Sequence, residues 1–130
     1  MITNDNRLSK LRDFSLVLKH GTWKNGVFLS LKRLELAKNR LYFPPKVDVD
    51  KFEKQLRIAI NVGLKVSKKA VVRNRIKRQI REVIRLLLKE NKIKIGQYLF
   101  FDAKAAIKEK KYAEISAEIE LLLHHSQALL

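Results

Sequence analysis

Between Val72 and Leu87 the apolar residues Val72, Ile76, Ile80, Val83, Ile84 and Leu87 recur at intervals of three and four. At roughly 100° per residue they fall within an arc of about 120°, wide enough for a core-facing stripe. The spacing predicts a long amphipathic helix, entered through Val66-Ser67-Lys68-Lys69 with Ser67 as N-cap and left through a turn over 91–96. A shorter helix is predicted over 9–20, with Ser9 as N-cap, Leu11, Phe14, Val17 and Leu18 as its apolar side, and Gly21 as its stop. A last helix over 112–123 turns Ile115, Ile119, Leu122 and Leu123 inward.

Strands are written in a different period. Residues 27–34 alternate Val27, Leu29 and Leu31 against Phe28, Ser30 and Lys32, which predicts a strand buried on one face. Residues 57–63 set Ile58, Ile60 and Val62 against Ala59, Asn61 and Gly63, whose small side chains leave room for a helix or an extended nucleic-acid strand. The continuous run over 98–103, YLFFDA, predicts a central strand. Trp23 reads as a core or edge aromatic. Pro44-Pro45 forbids a regular helix or central strand, so 38–56 is expected to be a long, variable hairpin connection. Residues 124–130 are expected to fray. No repeat or second domain interrupts this order, and residues 1–130 read as one α+β domain.

Charge changes the picture. Residues 65–89 hold ten cations against the single acid Glu82, so +9 of the chain's +16 lies in the amphipathic helix and its approach. Like charges three and four apart cost a helix a few tenths of a kcal/mol per pair, so this face is built for a polyanion. The apolar fraction of 46% excludes a disordered basic tail. There is no cysteine, hence no disulfide, thiolate metal site or cysteine nucleophile. The N-terminus lacks the apolar core of a signal peptide, and no apolar run reaches 18 residues; a cytoplasmic protein without a membrane partner is expected. A membrane-surface helix would carry Trp or Phe on its apolar face, whereas this stripe is Val, Ile and Leu.

Catalytic constellations are missing from the pattern. His20, His124 and His125 have no spacing that pairs one with a nucleophile. Asp48, Asp50, Glu114, Glu118 and Glu120 form no two-metal carboxylate cluster, and the glycines make no phosphate loop. A DNA reader would pair its recognition helix with a preceding short helix, and here a strand precedes it, so DNA is not the expected partner.

The run Ala70-Val71-Val72-Arg73-Asn74-Arg75-Ile76-Lys77-Arg78, followed by Arg81-Glu82, resembles the "RNR" signature of the protein subunit of bacterial ribonuclease P. The opening NRL…DF..V…HG resembles the same family. The likeness runs from about Arg7 to Leu123, is weakest over 38–56, and is most specific over 73–82. It implies an α-β-β-β-α-β-α sandwich with a left-handed βαβ crossover through the basic helix, where the general rule would favour a right-handed one. It implies a protein that binds a catalytic RNA and the 5′ leader of precursor tRNA, assisting endonucleolytic removal of that leader. Lys68, Lys69, Arg73, Asn74, Arg75, Lys77, Arg78 and Arg81 would grip the catalytic RNA. Phe14, Leu18, Arg57 and Lys65 would face the leader. The family usually has a second aromatic where this chain has Leu18, a glycine where it has Ala59, and a serine and two lysines where it has Gly63-Leu64-Lys65, so that Lys65 keeps one cleft charge. Magnesium is expected for the RNA–protein holoenzyme, and no cofactor for the protein alone. From the residues themselves, a noncatalytic ribosomal or assembly factor using the same basic helix is the alternative.

Overall fold

A computed structural model describes residues 6–43 and 49–130. The elements are α1 (Leu11–His20), β1 (Thr22–Asn25), β2 (Leu29–Glu35), a 3-10 helix (Ala37–Tyr42), α2 (Val49–Glu53), β3 (Leu56–Asn61), α3 (Ala70–Lys89), β4 (Gln97–Ala103), a second 3-10 helix (Ala105–Glu109) and α4 (Tyr112–His125). The four strands form one sheet in the order β1-β2-β4-β3. β1, β2 and β4 pair antiparallel, while β3 lies parallel to β4 and is joined to it through α3. This is the α-β-β-β-α-β-α order with three short helical insertions, and β4 is central as its apolar run predicts.

The sheet has a core on each face. Leu29, Leu31, Ile58, Leu99 and Phe101 pack under the stripe of α3 (Ile76, Ile80, Val83, Ile84, Leu87) and the inward side of α4 (Ile115, Ile119, Leu122, Leu123). Residues of opposite parity, Leu34, Tyr98 and Phe100, meet Val17 of α1 together with Leu8, Phe43 and Phe52. Because both faces are covered, β2 is not buried on one side only. Ser30 and Lys32 are as enclosed as Leu29 and Leu31, whereas Val27, expected inside, is 76% exposed.

Several other expectations fail for identifiable reasons. Ser9 does not cap α1; the cap is Lys10, in extended conformation and without a side-chain bond. The sheet-facing side of α1 is centred on Asp13 and Val17, both buried, one turn apart. Leu11 and Leu18 lie roughly 140° and 120° round the helix from that line and are exposed. Gly21 does end α1, its N–H donating to the Val17 carbonyl at 2.9 Å. Ser67 is not the cap of α3, which begins after Lys69. Its hydroxyl accepts the Lys69 N–H at 3.1 Å, closing a turn before the helix.

The connection over 38–56 is not an open hairpin loop: it holds most of the first 3-10 helix and α2, and Phe52 is 1% exposed beneath Phe43. Pro44, Pro45 and Asp48 lie outside the described residues. Nor does 124–130 fray. α4 continues to His125, Ala128 is buried, Leu129 bridges to Ile93, and the Ala128 carbonyl accepts from the Lys94 N–H and Gln97 Nε2.

One clamp spans the domain. Glu118 of α4 is buried and accepts the N–H groups of Val27 and Phe28, at 2.8 and 2.9 Å, from the turn between β1 and β2. Gly26 makes this approach possible, since a Cβ there would sit 2.9 Å from the Glu118 carboxyl carbon and 2.6 Å from the Leu29 carbonyl oxygen. Gly96 has φ +82° and faces the Glu53 carbonyl, where a Cβ would come within 2.6 Å.

Candidate nucleic-acid interface

The stripe of α3 fixes where its cations point. Asn74, Arg75, Arg78 and Arg81 are exposed, Lys77 is half-buried, and Lys68 and Lys69 stand exposed on the approach. Among the described residues no carboxylate lies within salt-bridge distance of any of these cations. The one acid of the helix is already committed: Arg85 bonds Glu82 through two nitrogens at 2.9 and 2.7 Å. Those bonds hold the Glu82 carboxyl below the usual carboxylate range and raise Arg85. Neutralising Glu82 at the C-terminal half leaves the N-terminal half as an undiluted positive surface.

Two members of the predicted set do structural work as well. Arg73 Nη1 donates to the carbonyls of Ser67 and Lys68, both at 3.0 Å, and so staples the turn that Ser67 closes. Arg75 Nη2 donates to the Lys108 carbonyl at 3.3 Å, tying α3 to the second 3-10 helix. Each guanidinium keeps further donors.

The other predicted group lies across the sheet, on the side of α1. Phe14 is half-buried and meets Phe100 edge-on, ring centroids 4.9 Å apart. Leu18, one turn on, is 41% exposed on the same flank. Arg57 is half-buried, its Nε donating to Gln55 Oε1 at 3.1 Å and Nη1 to the Arg7 carbonyl at 3.3 Å. Lys65, at the far end of β3, pairs with Asp102 at 2.9 Å, and Asn61 Nδ2 donates to the other Asp102 oxygen at 2.8 Å. Phe14, Ala59, Arg57 and Lys65 thus border one face of β3 and β4, with Arg57 near the start of β3 and Lys65 in the turn beyond its end. Beyond its edge, Arg7, Ser9, Ile58, Ala59, Ile60 and Arg81 line a shallow recess of about 290 Å³ that leads toward α3.

Some residues of this face gave no readable signal in the sequence. Asp13 is buried with Arg12 3.2 Å away, and Tyr98 donates its hydroxyl to Gln55 Oε1 at 2.7 Å. Burial and the nearby Asp13 carboxylate push the Tyr98 phenol up to about 12. Lys32 is buried, donates to the Leu18 carbonyl, and places its ammonium 5.1 Å from the Trp23 ring centroid. Among the described residues no group of three or more histidines and acids could hold a metal ion, and no helix is long and apolar enough to cross a membrane.

The family model described as Ribonuclease P matches residues 2–127. A ribonuclease P protein component from Nostoc punctiforme is 35% identical, the match covering 94% of this chain and 91% of the relative. One from Pseudanabaena is 33% identical over 99% and 97%. Among solved structures, the Staphylococcus aureus ribonuclease P protein superposes with a TM-score of 0.72 at 21% identity, covering 99% of this chain and 95% of the other. The Thermotoga maritima protein gives 0.68 at 21%, covering 92% and 96%. The cationic helix, the α1 face of the sheet and the strand order therefore have one common explanation: this chain belongs to the ribonuclease P protein component family.

Proposed function

We propose that the chain assists removal of the 5′ leader from precursor tRNA by holding two RNAs on two surfaces. Family membership implies partnership with a ribonuclease P RNA. In this reading the exposed face of α3, with Lys68 and Lys69, grips the backbone of that RNA. The α1 side of the sheet takes the single-stranded leader, with Phe14 stacking on a base and Arg57 and Lys65 near phosphates. The bond-breaking step belongs to the RNA and its magnesium ions. The protein supplies position, and positive charge that lowers the cost of bringing two polyanions together.

The observation that carries this reading is the run of cations in the N-terminal half of α3 that, among the described residues, have no acid partner, in a chain that pairs Lys65, Arg85 and Lys92 with carboxylates. Arg75, Arg78 and Arg81 present guanidinium forks, which suit phosphate oxygens better than lysine does. Protein freed of RNA is expected to cleave nothing. Adding a ribonuclease P RNA should restore 5′ maturation at magnesium concentrations where the RNA alone is slow. Robust cleavage by the RNA-free protein would overturn the assignment of chemistry to the RNA.

A further inference from the structure

The row of residues across the sheet on the α1 side is set by pairing. Trp23 of β1 lies opposite Lys32 of β2, Lys32 opposite Phe100 of β4, and Phe100 opposite Ala59 of β3. Side chains in one cross-strand row share a face, so Trp23 stands on the same side as Phe14. Its ring centroid is 6.1 Å from that of Phe100, and Phe100 in turn touches Phe14. The indole is 40% exposed. Lys32, 5.1 Å from the indole centroid, is the residue that donates to the Leu18 carbonyl. One ammonium therefore connects α1 at position 18, where this chain has an aliphatic side chain, to a ring on the edge strand.

Building on the leader-cleft reading, we propose that Trp23 is a second stacking surface for the single-stranded leader, with Phe100 as its support and Lys32 as its neighbouring charge. Three observations converge. An exposed indole on a four-residue edge strand packs too little to account for itself by core burial. Lys32 is 7% exposed with no carboxylate partner among the described residues, and a buried cation is costly unless something nearby favours positive charge; a ring face does so in part and a phosphate would do so fully. Phe14 and Trp23 both pack on the buried Phe100 ring, which sets two partly exposed rings on one support beside positive charge, the combination that binds single strands without reading their sequence. Leu18, flanking Phe14, adds apolar contact but no π-face. Leader stacking thus extends from the helix to the edge of the sheet.

Trp23 is the sole tryptophan, so its emission reports on its own surroundings. The test uses holoenzyme reconstituted with a ribonuclease P RNA and carrying wild-type protein, Trp23→Ala, Trp23→Phe or Phe14→Ala. Each is titrated with precursor tRNA and with mature tRNA. Trp23→Ala should weaken precursor binding by about tenfold, within the range of single-base stacking. It should leave mature tRNA unchanged, and Trp23→Phe should recover most of the loss. Wild-type emission should change on adding precursor and not on adding mature tRNA; this readout needs no variant to fold. Unchanged precursor affinity in Trp23→Ala beside a loss in Phe14→Ala would remove Trp23 from the cleft and leave the leader reading standing. Silence in both variants would sink the leader reading itself. Equal losses for the two RNAs, or emission indifferent to precursor, would return Trp23 to a purely structural place.

Discussion

The two charged surfaces of the domain are built on opposite plans. On α3, Arg75, Lys77, Arg78 and Arg81 have no acid partner among the described residues, and the helix's only carboxylate is consumed by Arg85. On the α1 side of the sheet, Lys65 is held by Asp102, Arg57 is bonded to Gln55 and Arg7, and Lys32 is enclosed beside Trp23. Unpaired charge on a projecting helix acts over a Debye length of about 8 Å at physiological salt and tolerates variation in what it meets. Charge restrained beside aromatic rings acts at contact distance and has a shape. The first plan suits a large folded polyanion, the second a single strand laid in one track.

Removing charge from the first surface should give the largest effect. The triple replacement of Arg75, Arg78 and Arg81 by Ala should lower the log–log salt slope for binding ribonuclease P RNA by roughly two units, at somewhat under one unit per lost phosphate contact. Exposed replacements of this kind usually shift stability by no more than about 0.5 kcal/mol each, and Arg75 also gives up its exposed bond to the Lys108 carbonyl, so the melt should fall only slightly. A slope that stays put would mean that this face is not where the RNA sits. Arg73 is left out because its bonds to Ser67 and Lys68 would confound binding with unfolding of the turn.

A smaller change should blur the difference between the surfaces. Asp102→Asn releases Lys65 and makes the cleft resemble α3. The lost pair is partly exposed and contributes on the order of 0–1 kcal/mol, so stability should change little. Precursor affinity should rise a few-fold at low salt, with a slope steeper by up to about one unit, while mature tRNA is unaffected. A fall in precursor affinity would show that Asp102 orders Lys65 for its task instead of masking it.

The smallest effect is absent at neutral pH. The Tyr98 phenol is pushed up from its ordinary 10.0 to about 12 in the folded chain, first by burial and then by the Asp13 carboxylate. The folded state therefore holds this proton more tightly than the unfolded chain. Its contribution is complete below pH 10.0 and is lost as pH rises toward about 12. Urea midpoints measured across that window should decline, and Tyr98→Phe should flatten the decline while losing the bond to Gln55. Equal decline in both proteins would assign the alkaline transition to other groups.

The contrast between surfaces also explains what could be read in advance. The stripe of α3 is legible because twenty residues in one helix repeat a period several times. YLFFDA is legible because a strand covered on both faces needs no alternation. β1 is not, because TWKN is short, wholly exposed and without period, although it carries Trp23. Lys32 and Ser30 misled because alternation is a sign of one-sided burial, and α1 with its aromatic partners covers the second face. Val27 was placed inside by that same alternation, yet the Glu118 clamp turns it outward. Asp13 was invisible because a buried carboxylate is known only by its partner, here Arg12. The cations of α3 could be named one by one, but Arg73's hold on two carbonyls depends on a turn that no local pattern encodes.

The Glu118 clamp has a consequence in time. Its acceptor and the amides it satisfies are separated by 91 and 90 residues, so they meet only when nearly the whole chain is available. Contacts of such separation are closed late and slowly, after local helices have formed. Until then the turn of the β1–β2 hairpin has two N–H groups without their buried partner, and an edge strand of four residues has little else to hold its register. The strand that presents Trp23 is therefore secured by α4, and the α1 face acquires its final shape only once α4 has been made, later than the cationic helix.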